Sequence, residues 1–349
     1  MHGTKPILPL IVIAIAFGAT DLRAVDSIYK TDGKRVDGTI TTFTKTEIDV
    51  QQGQRTTKVP VNEVDRIGWN GEPTELKNAR ASELAGNLER AEELYNQVKT
   101  GPSNLSPTAK IDLDYLIART KARAALRDKS KADAAIAALA AFKSANAENF
   151  RYYELHEYLG KVQAAKGDAA ASKAAFAEMG NSPFNDMKMA ARIFAADAML
   201  AAEDIPGALA EYAAVAGMNA TSLQEINRRN QARLGQALCL TRQNQGEKAI
   251  ELCDQVIKET TPEQRLEQAT AFLRKGDALQ ATGQNQQAVM AYLTVDLLFE
   301  DQPAKHAEAL YQLASLWGAV GKADRASDAR ARLQSQYSGS EWADQIQSN

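Results

Sequence analysis

Histidine and cysteine are nearly absent from this chain of 349 residues, which has three of the first and two of the second. The histidines, at positions 2, 156 and 306, are scattered. No HExxH, no CxxC and no mixed His/Cys cluster exists, so the spacings that hold zinc are missing. No GxSxG nucleophile elbow and no Gly-rich phosphate loop occurs either. The reading is therefore no enzyme, no cofactor and no small-molecule substrate. An excess of one charge is lacking too. Lys and Arg total 41 against 44 Asp and Glu, a formal net charge of -3. A nucleic-acid partner normally requires a clear basic excess, and none is expected here. Aromatic residues are only 6% of the chain. From about Ala79 onward their place is taken by alanine, the strongest helix former.

Long hydrophobic runs are missing as well. The longest, Ile7 to Phe17, is interrupted by Pro9 and falls short of the roughly 20 residues of a membrane span. With Lys5 before it, the run reads as the core of a secretory signal covering residues 1–24. Cleavage is expected after Ala24, with Gly18 as the alternative. No cysteine stands beside the run, which excludes a lipid-modified bacterial N-terminus. The chain is thus expected to be exported, to the periplasm or cell envelope. The other reading is an uncleaved N-terminal membrane anchor, the one case in which a membrane is a partner. Cys239 and Cys253 do not settle the compartment. Their heights on two antiparallel helices match poorly, which favours two buried free thiols over a disulfide.

Residues 25–72 differ from the rest of the chain. They are rich in Thr, Val, Ile and Gly. Ile48 and Val50 alternate with Glu47, Asp49 and Gln51, the period of a half-buried strand. Asp32-Gly33 and Gln52-Gly53 are turn signals. Four or five short strands are predicted, ending near Trp69. The pattern resembles the small barrels of the SH3-like and Sm-like group, with Val59 to Ile67 similar to their short helical turn before the last strand. Such a module implies either a peptide- or wall-binding adaptor or a cap over the open end of a helical array. It buries little surface alone and needs a neighbour.

Residues 73–349 carry a repeat. Gly283 is followed five residues later by Ala288 and nine later by Tyr292, and Gly276 stands seven before Gly283. The same frame appears at Gly86, Ala91 and Tyr95, and at Gly160, Gly167, Ser172 and Phe176. Gly321 and Ala326 fit it as well, with Arg330 as a departure at the aromatic slot. Two antiparallel helices approach closely only where side chains are small, and an aromatic then fills the gap toward the next pair. These landmarks resemble the tetratricopeptide repeat. Taking the small residue as reference gives Ala91, Ala135, Ser172, Ala208, Ala249, Ala288 and Ala326. The steps are 44, 37, 36, 41, 39 and 38 residues, against about 34 for that family. Longer helices or loops are therefore expected.

The fold class predicted is mainly α: an α-solenoid of about seven helix hairpins, preceded by the small β-barrel-like module. The hairpins are placed at Pro73–Gly86 with Leu88–Lys99, and Pro107–Arg127 with Lys131–Ser144. Then come Phe150–Lys166 with Ala169–Met179, Asp186–Ala202 with Pro206–Ala216, and Leu223–Gln243 with Glu247–Lys258. Pro262–Thr282 with Asn285–Phe299 and Pro303–Val320 with Lys322–Gln336 complete the array. The tail around Trp342 is expected to dock on the last pair and seal it.

The resemblance implies a concave groove that binds a partner protein or peptide without catalysis. Its exposed slots map to Glu157 and Lys161, to Leu273, Asp277 and Gln280, and to Tyr311 and Ser315. His156 falls at a packing slot and reads as a packed residue rather than a general base. Arg119, Lys121, Arg123 and Arg127 read as a solvated helix face or as a patch for an acidic partner. A structural, self-associating envelope protein is the competing reading.

Overall fold

The computed structural model describes residues 25–348, so residues 1–24, expected to form a secretory signal, lie outside the described residues. The chain opens with β1 (Asp26–Lys30), β2 (Arg35–Phe43), β3 (Glu47–Gln52), β4 (Arg55–Pro60) and β5 (Val64–Gly68). All neighbours are antiparallel, in the order β4-β3-β2-β1-β5, and a 3-10 turn at Val61–Glu63 separates the last two strands. The register places Ile28 opposite Val36 and Ile67, and Ile48 opposite Val59. The alternation therefore buries one face, with Ile28, Ile48, Val50, Val59 and Ile67 at 2% exposure or less. Gly33, in the four-residue β1–β2 turn, and Gly53, in the two-residue β3–β4 turn, take positive φ of 79° and 64°. Asp26 ties the sheet to its exit, accepting from the amides of Ile40 at 3.0 Å and Asn70 at 2.9 Å.

Fourteen helices come next as seven antiparallel hairpins among the described residues. The first helices are α1 (Thr74–Leu84), α3 (Pro107–Arg127), α5 (Tyr152–Lys166), α7 (Asn185–Ala201), α9 (Leu223–Arg242), α11 (Arg265–Ala281) and α13 (Pro303–Ala319). Their partners are α2 (Leu88–Thr100), α4 (Ala132–Ala145), α6 (Ala169–Gly180), α8 (Ile205–Ala216), α10 (Gly246–Glu259), α12 (Asn285–Leu298) and α14 (Ala323–Gln336). From α3 onward each first helix also packs on the next first helix, so these form the inner layer of a solenoid. A closing helix, α15 (Glu341–Ser348), packs on α13 and α14. Its Trp342 ring lies 5.1 Å from Tyr311.

The predicted boundaries agree with the structure to within three residues. The widest gap is at α11, which starts at Arg265 rather than Pro262. There a side-chain turn, Gln264 Oε1 accepting from the Thr261 amide at 2.9 Å, delays the helix.

Close approach governs each pair. A Cβ on Gly276 would sit 2.4 Å from the Tyr292 ring, and one on Gly160 2.4 Å from Phe176. Ala79, Ala196, Ala237 and Ala314 occupy the equivalent place, twelve residues before their reference alanines. All four are buried. The reference residues are buried too, except Ala326, which is only half-buried in the terminal hairpin. The uneven spacing has a plain source. The 44-residue and 41-residue steps contain the longest first helices, α3 with 21 residues and α9 with 20, so the extra length went into the inner layer.

Five residues before the reference position, in six of the seven hairpins, the chain turns through left-handed backbone. Gly86, Gly167, Gly283 and Gly321 do so with φ between 75° and 92°. Glu203 and Asn244 do the same with side chains, at φ 62° and 59°. Left-handed backbone costs a residue with Cβ roughly 1–2 kcal/mol, and asparagine tolerates it best. Glycine returns about 0.5–1 kcal/mol of that through its unfolded-state entropy. Glu203→Gly is therefore expected to stabilise the fold by about 0.5–1 kcal/mol, and Asn244→Gly by less. Urea unfolding measures both. A loss of stability in Glu203→Gly would mean that its exposed 3.6 Å ion pair with Arg242 outweighs the backbone.

Candidate partner-binding groove

The β module does not cap the open end of the array. It lies across the inner layer, touching hairpins two to five. Trp69 Nε1 donates to Asp112 on α3 at 2.9 Å. Phe43 meets Phe150 edge-on at 5.5 Å, and Lys45 sits 4.2 Å over the Tyr152 ring at the start of α5. Asn62 donates to Asp186 on α7 at 3.0 Å, and Gln224 on α9 donates to Thr31 at 2.8 Å. The concave surface of the first half is thus filled by the chain's own strands.

A charge network runs beneath that contact. Arg151 bonds Asp112 at 2.9 Å and Glu154 at 2.8 Å. Arg119 bonds Glu154 at 3.2 Å and Glu83 at 2.7 Å. Arg123 and the Tyr95 hydroxyl also bond Glu83, at 3.1 and 2.8 Å. Burial alone would raise these carboxyls, but the guanidinium partners win and hold Glu83, Asp112 and Glu154 below the usual range. Arg119 and Arg123 are therefore engaged within the fold, while Arg127 stays on the solvated face. Lys121 pairs with Glu92 at 3.5 Å, and Arg127 donates to the Gly86 carbonyl at 2.7 Å.

Beyond the module the concave surface opens into a groove of about 840 Å³. Its floor is Arg228, Gln231, Leu234 and Leu238 on α9, with Leu266, Glu267, Thr270 and Arg274 on α11. One wall is Thr31 and Asn62 of the β module with Asp186 and Asp197 of α7. The far end is Lys305 and Glu308 on α13 with Glu341 and Trp342 on α15. Desolvation raises the carboxyls of Asp186 and Asp197 above the usual range, although Asn62 donates to the first and the Tyr212 hydroxyl to the second. Burial, and then the neighbouring Arg274, pulls Lys305 down to about 8. Arg274 bonds both Asp277, at 3.0 Å, and Glu308, which also takes Lys305 at 3.2 Å. Titrating groups displaced in a cleft are a signature of sites that trade stability for binding.

The residues expected to line the groove are not those that do, with one partial exception. Leu273 is a correction: it is fully buried and offers no surface to a partner. Asp277 takes the Tyr292 hydroxyl at 2.8 Å, and the exposed Gln280 lies 3.4 Å from the same hydroxyl. Tyr311 is covered by Trp342, and the exposed Ser315 hydroxyl donates back to the Tyr311 carbonyl. Lys161 pairs with Glu157 and sits 3.9 Å over the Phe194 ring. Glu157 alone borders a cavity, a small one of about 160 Å³ between the β module and α5 and α7.

The groove instead runs along most of α9, from Gln224 to Leu238, and the N-terminal part of α11. On α11 the open surface, Leu266 to Arg274, lies N-terminal to the expected slots Asp277 and Gln280. His156 is buried among helices, 4.7 Å from the Tyr152 ring, and burial pulls it down to about 4. Cys239 and Cys253 are unbonded and buried. Among the described residues no group of three or more His, Cys, Asp or Glu is arranged to hold a metal ion.

No protein-family model matches the chain, and no curated protein matches it either. Solved structures do. A Rap protein complexed with competence and sporulation factor is 15% identical, covers 78% of each chain and superposes with a TM-score of 0.50. A tetratricopeptide repeat protein from Parabacteroides merdae is 16% identical over 75% of this chain and 91% of its own, with the same score. The apo form of RapI is 10% identical over 77% of each chain, again at 0.50. The fold is that of a tetratricopeptide-type α-solenoid, here with a five-stranded sheet laid into its concave side.

Because Glu83 is held below its usual pKa, its contribution to stability is complete above the unfolded value, about 4.3, and is lost as pH falls through the lower folded value. Glu83→Gln should cost about 2–3 kcal/mol at neutral pH, the worth of bonds to charged partners. It should also flatten the loss of stability below about pH 4. Denaturant titrations at pH 7 and pH 3.5 measure both. An unchanged acid slope would show that Glu83 is not the titrating member of the network.

Proposed function

We propose that this chain is an exported, non-enzymatic scaffold that holds a segment of a partner protein in the groove between its β module and Trp342. The observation that carries the reading is the contrast along one concave surface. The first half is packed by the chain's own strands. The second half is open, and offers Leu238, Leu266 and Trp342 beside polar side chains. A groove with leucines on its floor among many polar and charged groups suits an extended segment or a single helix. The Rap protein of the same fold, solved with a bound factor, supports a binding role.

The β module reads as an SH3- or Sm-like unit at residues 25–72, ahead of a repeat domain at 73–349. Its strand order and the 3-10 turn before β5 support that reading. The module also fixes where the groove begins. Residues 1–24 read as a signal peptide, which puts the mature chain in the periplasm or cell envelope. The alternative is retention at the membrane by the same segment.

Two measurements test this. N-terminal sequencing of the fractionated protein should find a chain starting at Val25 outside the cytoplasm; an intact Met1 in the soluble cytoplasm would sink the export reading. Capture from envelope extract should lose its main partner in the Leu238→Glu, Leu266→Glu double variant. If every captured protein is retained, the groove is not the site.

A second reading, self-association, is favoured by α12. Its outer face exposes Met290, Leu297 and Leu298 at 63%, 73% and 60%. The helix has one charged residue, Asp296, which turns inward to His306 at 2.7 Å and Arg332 at 2.7 Å. An uncharged apolar face meets a second copy of itself without repulsion. Light scattering should then show a dimer that Leu297→Glu converts to monomer. A monomer at every concentration removes this reading.

A further inference from the structure

Resting on the groove reading, we propose that the groove selects a partner segment carrying a Lys or Arg side chain next to an apolar residue. Unmatched charge is the reason. Five carboxylates line the groove: Asp186, Asp197, Glu267, Glu308 and Glu341. Three cations face them: Arg228, Arg274 and Lys305. Two of the three are already engaged, since Arg274 and Lys305 both bond Glu308 and Arg274 also bonds Asp277. Arg228 is left, and it donates to Gln231 at 3.0 Å and lies 5.8 Å from the Phe194 ring.

Among the described residues four carboxylates therefore lie outside any ion pair, with Arg228 near Asp186 and Lys305 near Glu341 as the cations within electrostatic reach of these two. Asp186 and Asp197 have only neutral hydrogen-bond donors, Asn62 and Tyr212. Both are held in surroundings that disfavour their charge. Glu267, half-buried on α11, has no hydrogen-bond or ion-pair partner among the described residues. A cation entering here supplies the missing countercharge and offsets a desolvation cost the fold already bears. An acidic guest meets like charge at every one of these positions.

The apolar part of the recognition lies alongside. Leu266 is 52% exposed on the groove floor, with Leu238 on the neighbouring helix. The methylene stem of a Lys or Arg, or an adjacent apolar residue, covers these while the charged end reaches the carboxylates.

Selection from a random peptide display library on the full chain tests this. The library is run against wild type and against an Asp197→Asn, Glu267→Gln variant. The amide introduced by Asp197→Asn keeps an acceptor for the Tyr212 hydroxyl, and unchanged thermal unfolding checks that the variant is folded. Wild type is expected to enrich Lys and Arg over the input. The best synthetic peptide should bind about tenfold more tightly than its counterpart with Glu in place of the cation. In the variant that ratio should fall to about threefold or less. Enrichment of acidic or uncharged peptides overturns the proposal, as does an equal bias in the variant. A library that yields peptides insensitive to Leu238→Glu overturns the groove reading itself. So does one that yields no peptide.

Discussion

Everything in this molecule depends on how closely two helices of a hairpin can cross. At Gly276 the ring of Tyr292 comes so near that even a methyl group has no room. The same crossing has Phe176 over Gly160. The aromatic brings a second requirement, because a buried hydroxyl needs a partner. Tyr95 finds Glu83, Tyr212 finds Asp197 and Tyr292 finds Asp277, each on the preceding first helix. Packing the hairpin therefore places a carboxylate near the inner layer. One of these, Asp197, becomes groove wall. The groove's acidity is in part a by-product of how the hairpins are closed.

The second constraint is the β module. A sheet of five short strands has too little core to stand alone, and a concave helical surface has an inner layer to cover. Each solves the other's problem over hairpins two to five. The joint is made by aromatic contacts and by Trp69 reaching into a buried ion network. Such a network gains little over apolar packing, because desolvating its charges costs nearly as much as their attraction returns. What it gives is geometry: Asp112 accepts from Trp69 and from Arg151, so the module's exit and α5 are fixed relative to α3. The groove starts where that docking stops.

The sequence was legible wherever one residue type answers one local demand. Glycine at a left-handed turn, alanine at a crossing and alternating Ile and Val on a strand each have a single geometric cause. The seven hairpins and the strands could accordingly be placed from them. Glu203 and Asn244 take glycine's conformation without being glycine, and those two turns were placed from Ala208 and Ala249 instead. Leu273 was misplaced for a different reason. A position frame taken from a 34-residue repeat slides along a longer helix, and a slide of one residue moves a side chain about 100° around the axis.

By itself the sequence determined the repeat, its turns, the helical class and the small front sheet, because these arise from interactions between residues close along the chain. It also determined that the charges nearly balance overall. Only the tertiary structure decided which charges remain unmatched. Arg119 reads in the sequence as part of a solvated face or an acidic-partner patch, yet it and Arg151 are consumed by Glu83, Asp112 and Glu154. Glu267 looks like any other helix carboxylate and is left facing an open groove. Residues 31 and 224 meet, as do 62 and 186, and no local pattern encodes such distant pairs. The groove exists between elements that the chain brings together only when it folds.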